Sequence, residues 1–406
     1  MKTASLQKDT SGQIRMATVY TILFGISFSH MLNDMIQSLI PSIYPLLKNS
    51  FKLSFAQVGL IQLAFQMTAS ILQPFVGSYF DKKPQPFSLT IGMGFTLAGL
   101  IFISFAHSFT AILISVALIG TGSSVFHPES SKIAYMASGG KRGLAQSIFQ
   151  VGGNAGTAIG PLLAALIVVH FGRSHAMYFG ILALIAIIIL FYVGKWAKPR
   201  LAEMKKQKSM VTVTAYHPHL SKQKVLISVA ILLVLIFSKF FYLASISSYY
   251  TFFLIDKFYV SIKHSQLFLF VFLASSALGT YFGGPLGDRF GRKYVIWFSI
   301  LGAAPFTLLM PYMSLFWTAV FSVIIGFILS SAFPAILVYA QELLPVKIGM
   351  ISGLFFGFAF GMGGLGSALL GMLADATSIY YVYHVCAFLP LIGLVTCLLP
   401  DLSKSG

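Results

Sequence analysis

Long apolar runs separated by short polar loops recur along this chain, and they constrain its fold more than any other feature. A helix that crosses a bilayer needs about 20 apolar residues, and the 406 residues contain twelve runs of about that length or more. Only 9% of the residues are charged, whereas soluble domains carry about 25%. A water-soluble globular fold is therefore excluded, and an all-α membrane protein is expected. The predicted spans are 18–44, 55–79, 87–107, 110–136, 144–170, 175–197, 225–254, 264–286, 294–313, 316–341, 348–374 and 379–399.

The basic residues indicate how these spans are oriented. With a cytoplasmic N-terminus, 21 of the 27 Lys and Arg residues fall in inside loops and ends, five fall outside, and Lys239 lies within a span. Cytoplasmic loops of membrane proteins carry such an excess, so we expect both termini to be cytoplasmic. The same distribution accounts for the net charge of +17 without a nucleic-acid partner.

The chain repeats weakly with an offset of 206 to 207 residues. Gly77 and Asp81, for example, recur as Gly284 and Asp288. Parallel repeats of six helices place the substrate path where the two halves meet. We therefore predict two pseudo-symmetric six-helix halves. The boundaries are a cytoplasmic tail at 1–17, an N-terminal half at 18–197, a cytoplasmic linker at 198–224, a C-terminal half at 225–400 and a cytoplasmic tail at 401–406.

The stretch 284–293, GPLGDRFGRK, lies between predicted spans 8 and 9. It resembles the signature loop of the major facilitator superfamily, G-x-L-x-D-R-x-G-R-K, which implies a two-half carrier that works by alternating access. Its glycines allow a tight turn, and its Asp is able to pair with a nearby Arg or to cap a helix N-terminus. The alternative is a basic loop without a mechanism, and the first-half copy lacks the later Gly-Arg-Lys. The candidate latch residues are Gly77, Asp81, Gly284, Asp288, Arg289, Gly291, Arg292 and Lys293.

Small residues in span 5 form a string from Gly156 to Pro161. It resembles the G-x-x-x-G-P motif of the antiporter branch of the superfamily, although Ala164 and Ala165 replace the closing glycines. Small residues such as Gly156 and Gly160 allow close helix approach, and Pro161 bends a helix. Helix packing therefore explains the string as well as antiport does.

Signatures of enzymes and cofactors are missing from the sequence. The string 361–366, GMGGLG, is a formal G-x-G-x-x-G, yet no predicted strand precedes it and no acid follows at about 20 residues. Cys386 and Cys397 lie in one apolar run, which indicates neither a disulfide framework nor a metal site. We expect no cofactor, no metal and no catalytic residues, and an ion gradient as the energy source.

Ionisable side chains at membrane depth are costly and mark candidate functional sites. Span 1 carries His30, Asn33, Asp34 and Gln37, whose spacing places them on one helix face, and we expect this face to line a water-filled cavity. The proton-coupling candidates are Asp34, Glu129 and His127. The substrate-cavity candidates are His30, Asn33, Gln37, Asn154, Lys239, Tyr242, Tyr249 and Tyr250.

Each of the charged candidates also has a structural explanation. Asp34 and Lys239 are able to form an ion pair across the halves, and Lys239 otherwise anchors an anionic substrate. Glu129 lies near a basic loop and suits a structural ion pair. His127 suits a polar side chain whose hydrogen bonds are satisfied inside the protein.

Five strings carry a closer resemblance, at 30–41, 120–131, 138–147, 245–250 and 339–345. They resemble the fosmidomycin resistance family within the superfamily. This resemblance implies a bacterial inner-membrane exporter of the anionic phosphonate fosmidomycin, or of related amphiphiles, in exchange for protons. It implies a small-molecule substrate, protons and membrane lipid as partners of a monomeric carrier. The alternatives are a carrier of an endogenous anionic metabolite and a membrane sensor that transports nothing.

Overall fold

The computed structural model describes residues 6–8, 14–16, 18–43, 47, 50–53, 55–169, 171, 173–210, 217 and 220–402. Contacts between residues divide the chain into two compact units. One comprises Met1–Ala215 with Val346–Gly357, and the other comprises Tyr216–Pro345 with Phe358–Gly406. The first unit is therefore discontinuous in sequence, because it includes a segment from far along the chain.

The described part of the first unit is dominated by α-helices. They are α1 Tyr20–Ser42, α2 Phe55–Gln66, α3 Leu72–Lys82, α4 Ser88–Ser104, α5 Phe109–Ala137, α6 Arg142–Leu163 and α7 Phe179–Met210. A π-helical segment, Met67–Ile71, joins α2 to α3, and a second, Ala164–Val169, follows α6. A 3-10 helix, Arg173–Tyr178, leads into α7. Two three-residue strands, β1 Leu6–Lys8 and β2 Ile14–Met16, pair antiparallel ahead of α1.

The described part of the second unit is also helical. It contains α8 Lys222–Phe258, α9 Ile262–Phe290, α10 Arg292–Leu301, α11 Ala304–Leu309, α12 Leu315–Ser330 and α13 Ala332–Leu343. The helix α14, Ile348–Ala376, begins in the segment Val346–Gly357, which belongs to the first unit, and ends in the second unit. It is followed by α15, Ile379–Cys386, and by a 3-10 helix, Leu389–Leu398. A shorter 3-10 turn, Met310–Tyr312, follows α11.

Serine side chains define where several of these helices begin. Ser108, Ser221, Ser261 and Ser378 precede α5, α8, α9 and α15, and each accepts a hydrogen bond from the backbone N–H three residues later. The first N–H groups of a helix have no partner within the helix, so such a cap stabilises the start.

Helix length and composition agree with a membrane fold. Within the described residues, nine helical segments are long and apolar enough to cross a membrane, and Ser88–Ser104 is apolar but only 17 residues long. The other two predicted spans coincide with α1 and α6, which carry polar side chains such as Asp34 and Asn154. The all-α membrane fold is confirmed, whereas the number of twelve spans stays a prediction.

The helix α7 continues to Met210, well past residue 197, where the sequence predicts that span 6 ends. The residues that follow are rich in Leu, Ala, Glu, Met and Lys, which are strong helix formers. The apolar pattern therefore marks where a span leaves the membrane and not where its helix stops.

Close packing of α6 against α1 depends on small residues. A Cβ atom placed on Gly152, Gly156 or Gly160 would collide with Ser27, Met31 or Ser38 respectively. Small residues at four-residue spacing let two backbones approach in this way. The side chains of Pro161, Ala164 and Ala165 lie outside the described residues.

Candidate functional site

The polar face of α1 surrounds the carboxylate of Asp34. Asn33 and Gln37 each donate a hydrogen bond from the side-chain amide to Asp34 Oδ1, at 3.0 Å. His30 Nε2 lies 3.2 Å from Asp34 Oδ2, and His127 Nε2, from α5, lies 3.5 Å from Asp34 Oδ1. Asp34 is only 8% exposed. We call His30, Asp34 and His127 the histidine–aspartate cluster.

A backbone carbonyl oxygen lies beside the Nδ1 atom of each of the two imidazoles. His30 Nδ1 lies 2.8 Å from the carbonyl oxygen of Phe149, and His127 Nδ1 lies 3.1 Å from that of Ser123. Because a carbonyl oxygen only accepts, both Nδ1 atoms carry hydrogen and act as donors. The Nε2 atoms of both rings face the Asp34 carboxylate.

The sequence predicted part of this cluster. The spacing on span 1 correctly placed four polar residues on one face, but three of them, His30, Asn33 and Asp34, are buried. Two histidines of its own unit lie beside the Asp34 carboxylate, whereas Lys239, the alternative partner considered above, belongs to the second unit. The i, i+4 spacing of His30 and Asp34 was visible in the sequence as a signal for their contact.

Two further residues differ in their relation to the cluster. Asn154 lies exposed on α6, and its place in a substrate cavity stays a prediction. Gly153, beside it, was not singled out from the sequence. A Cβ atom there would lie 2.5 Å from His30 Nε2 and 2.8 Å from Asp34 Oδ2. The cluster therefore fits beside α6 only because residue 153 has no side chain.

A second buried group of charges centres on Lys132 in α5. Its Nζ lies 3.2 Å from Glu129 Oε1 and 3.4 Å from Asp81 Oδ1, and it donates to the carbonyl oxygen of Phe80 at 3.1 Å. Ser88 donates to Glu129 Oε2 at 3.2 Å. Lys132, one of the basic residues counted above in the inside loops and ends, is buried within α5. These contacts match the structural explanation of Glu129, and its role in proton coupling stays a prediction.

Asp81 also caps a helix. Its carboxylate accepts hydrogen bonds from the backbone N–H of Gly349 at 3.1 Å and of Met350 at 2.8 Å, in the first turn of α14. A negative charge at a helix N-terminus is stabilising. Gly77 lies so close that a Cβ atom there would collide with the Gly349 carbonyl. The first-half copy of the motif therefore makes a cap, although it lacks the later Gly-Arg-Lys.

The second-half copy differs from the predicted loop. The helix α9 continues through Gly284 and ends at Phe290. The next residue, Gly291, has a φ of +91°. Asp288 Oδ1 lies 3.1 Å from an Arg292 guanidinium nitrogen, which also lies 3.2 Å from Glu342 Oε1. The motif is therefore mostly helical, with one glycine turn that needs positive φ.

The remaining basic residues of that motif make separate contacts. The guanidinium of Arg289 lies over the ring of Phe290, at 5.2 Å from its centroid. Lys293 Nζ donates to the carbonyl oxygen of Cys397 at 3.2 Å. The function of these residues as a conformational latch stays a prediction.

In the second unit, α8 buries an ammonium group in aromatic surroundings. Lys239 is 3% exposed, and its Nζ lies 5.1 Å and 5.2 Å from the ring centroids of Phe240 and Phe333. No described carboxylate of this unit forms an ion pair with it. Aromatic faces compensate only part of the cost of burying a charge, so Lys239 is suited to receive an anion.

The tyrosines beyond Lys239 are not equivalent. The Tyr249 hydroxyl donates a hydrogen bond to the carbonyl oxygen of Ser367 at 2.6 Å. The Tyr242 hydroxyl is buried and has no hydrogen-bond partner within the described part of its unit. The Tyr250 hydroxyl is likewise buried and has no hydrogen-bond partner among the described residues of this unit. Tyr242 and Tyr250 therefore each have a polar group left to bind another molecule.

Comparison with known proteins places this arrangement in a family. The profile of the Major Facilitator Superfamily matches residues 26–275 and 250–405. The chain belongs to this superfamily. Both the family and the fold are those of membrane transporters.

Individual members of the superfamily resemble the chain along nearly its whole length. The fosmidomycin resistance protein of Escherichia coli (strain K12) is 60% identical over 384 residues, covering 95% of this chain and 94% of that protein. The uncharacterized MFS-type transporter YfnC of Bacillus subtilis (strain 168) is 43% identical over 404 residues, covering 100% and 98%. The solved structure of the human organic anion transporter MFSD10 (TETRAN) superposes with a TM-score of 0.75 at 15% identity, covering 94% and 99%. This last similarity shows the fold alone.

Proposed function

We propose that this chain is a secondary active transporter that exports fosmidomycin or related anionic compounds across the bacterial inner membrane in exchange for protons. The observation that carries the proposal is 60% identity, over 95% of the chain, to a protein named for fosmidomycin resistance. Alternating access, twelve spans and cytoplasmic termini belong to the same proposal. The excess of basic residues in the predicted inside loops supports that orientation.

The second unit supports an anionic substrate. Fosmidomycin carries a phosphonate group, and a buried ammonium beside a hydroxyl donor provides charge-assisted hydrogen bonds for such a group. Lys239 and Tyr242, both on α8, supply these two groups. In this proposal Lys239 anchors the anion, and the rings of Phe240 and Phe333 contact the less polar part of the substrate.

The first unit supports coupling to protons. In the proposal, Asp34 binds the exchanged proton together with His30 and His127, whose Nε2 atoms face its carboxylate. A group that is exposed alternately to the two sides of the membrane is able to load and release a proton. Glu129 is less suited to bind the exchanged proton, because Lys132 already forms an ion pair with its carboxylate.

Replacement of Lys239 by Ala tests the anion site. Uptake of labelled fosmidomycin into inside-out proteoliposomes with an imposed proton gradient is expected to fall at least about tenfold, because a hydrogen bond to a charged group contributes about 1.5–3 kcal/mol. Lys347→Ala, outside the spans, is the matched control and is expected to transport like the wild type. Equal uptake by both variants would contradict the role of Lys239.

The same assay separates the proposed function from its alternatives. A folded wild-type protein that accumulates an anionic metabolite but not fosmidomycin would favour the metabolite carrier, since Lys239 suits any small anion. A folded protein that shows no flux of either compound would favour the sensor. Fosmidomycin accumulation that collapses with the proton gradient is the expected result.

A further inference from the structure

The histidine–aspartate cluster has the geometry of a metal site. His30, Asp34 and His127 are buried, and one ligand atom from each lies within 4.8 Å of the other two. His30 Nε2 lies 3.2 Å from Asp34 Oδ2, and His127 Nε2 lies 3.5 Å from the other carboxylate oxygen, Oδ1. Ligand atoms of tetrahedral zinc lie about 2.0–2.2 Å from the metal and hence about 3.3 Å from each other. The cluster is therefore close to this arrangement before any ion binds.

The hydrogen bonds around the cluster are those that metal ligands require. A metal-binding histidine donates its other ring N–H to a carbonyl or carboxylate, which fixes the ring and its tautomer. His30 and His127 both do so, through Nδ1, to the carbonyl oxygens of Phe149 and Ser123. Asp34 is held in turn by the side-chain amides of Asn33 and Gln37.

Two further observations favour a cation-binding role for the cluster. His30 Nε2 is buried and, apart from the Asp34 carboxylate 3.2 Å away, has no polar neighbour within hydrogen-bond distance among the residues that the structure describes. Gly153 keeps the space beside His30 Nε2 and Asp34 Oδ2 clear of side-chain atoms, since a Cβ atom there would lie within 2.8 Å of both. A cation at this position would satisfy the nitrogen and neutralise the carboxylate.

We propose that the histidine–aspartate cluster binds a divalent transition-metal ion of the Zn²⁺ or Co²⁺ class. The ligands are His30 Nε2, His127 Nε2 and a carboxylate oxygen of Asp34, a nitrogen and oxygen set that suits such ions. Three protein ligands leave the fourth tetrahedral position open to water or to an anionic group. Because the ligands come from α1 and α5, the bound ion joins these two helices. The proposal concerns binding alone. Because metal ligands must be deprotonated, such an ion competes with the proton that the proposed function places on Asp34.

Metal titration of the purified full-length protein in detergent, with any affinity tag removed, tests this site. Zn²⁺ binding by calorimetry and Co²⁺ binding by visible absorption are expected to show one ion per chain, with the absorption typical of tetrahedral cobalt. His30→Gln and His127→Gln each remove one ligand and are expected to weaken binding at least about 100-fold, because loss of even the supporting hydrogen bonds costs 10–100-fold. Binding of equal strength in the wild type and in both variants would overturn the proposal.

A matched control and a second measurement make the test independent of how the variants fold. His384, in α15, bonds through Nδ1 to the Tyr380 carbonyl oxygen and lies outside the cluster, so His384→Gln is expected to bind like the wild type. X-ray absorption at the zinc edge of the wild-type protein is expected to show two imidazoles and one carboxylate oxygen around the ion. The absence of stoichiometric binding, or a spectrum without imidazole, would overturn the proposal without any variant.

Discussion

Replacement of Asp34 by Asn is expected to abolish the accumulation of substrate against its gradient while exchange of labelled for unlabelled substrate continues. A proton that crosses about 150 mV supplies about 3.5 kcal/mol, which corresponds to an accumulation of a few hundred-fold. An amide does not alternate between charged and neutral forms. It still accepts hydrogen bonds from neighbours such as Gln37, so we expect the variant to fold and to bind substrate.

The measurement is uptake of labelled fosmidomycin by inside-out proteoliposomes together with the change in lumenal pH. With a proton gradient, the wild type is expected to accumulate substrate and shift the pH, and Asp34→Asn is expected to reach only the passive level and leave the pH unchanged. Counterflow in the absence of a gradient reports substrate binding and the conformational cycle. Wild-type accumulation by Asp34→Asn would show that its carboxylate does not couple transport to protons.

Two further acidic residues serve as comparisons. Asp256 lies exposed near the end of α8, and Asp256→Asn is expected to accumulate substrate like the wild type. Glu129 forms a buried pair with Lys132, so Glu129→Gln is expected to reduce the yield of folded protein while the folded fraction stays coupled. Loss of coupling in folded Glu129→Gln, with coupling intact in Asp34→Asn, would exchange the roles of the two residues.

Replacement of Asp81 by Ala is expected to lower the free energy of unfolding by on the order of 3 kcal/mol. The change removes two charge-assisted hydrogen bonds to the first turn of α14 and one partner of the buried Lys132. Hydrogen bonds to a charged group contribute about 1.5–3 kcal/mol, and breaking a buried ion pair costs about 3–5 kcal/mol. Glu129 continues to pair with Lys132, which keeps the expected loss at the lower end of that range.

The corresponding residue of the second repeat is the control. The side chain of Asp288 is about one-fifth exposed, and Arg292 keeps Glu342 as a partner when Asp288 is replaced. Asp288→Ala is therefore expected to cost about 1 kcal/mol or less, as for a surface ion pair. Denaturant titration of both variants in detergent measures the difference. An equal loss of stability in the two variants would show that the helix cap at Asp81 contributes nothing beyond an ordinary ion pair.

The polar face of α1 shows how far local sequence rules reach. The helical period alone placed His30, Asn33, Asp34 and Gln37 together, because that period depends only on backbone geometry. It did not identify His127 as the partner of Asp34, and the water-filled cavity that this face is expected to line stays a prediction. The partner comes from another helix, and sequence spacing carries no information about which helix packs there.

The repeated motif also shows a contact that local sequence rules did not predict. Its first copy looked incomplete, yet Asp81 makes the helix cap, because the donors are the backbone N–H groups of Gly349 and Met350. Every residue except proline carries such a donor, so no sequence pattern marks it. The burial of Lys132 was not predicted for a related reason, since it depends on the two carboxylates that converge on it.

Composition and local motifs were enough to predict a membrane protein, its helical class and its superfamily, because apolar length and local motifs are properties of continuous segments. Which charged groups meet became visible only in the folded structure. It paired Asp34 with two histidines, Lys132 with Asp81 and Glu129, and left Lys239 among aromatic rings. The physical reason is that these contacts join segments distant in sequence, and their geometry exists only once the helices have packed.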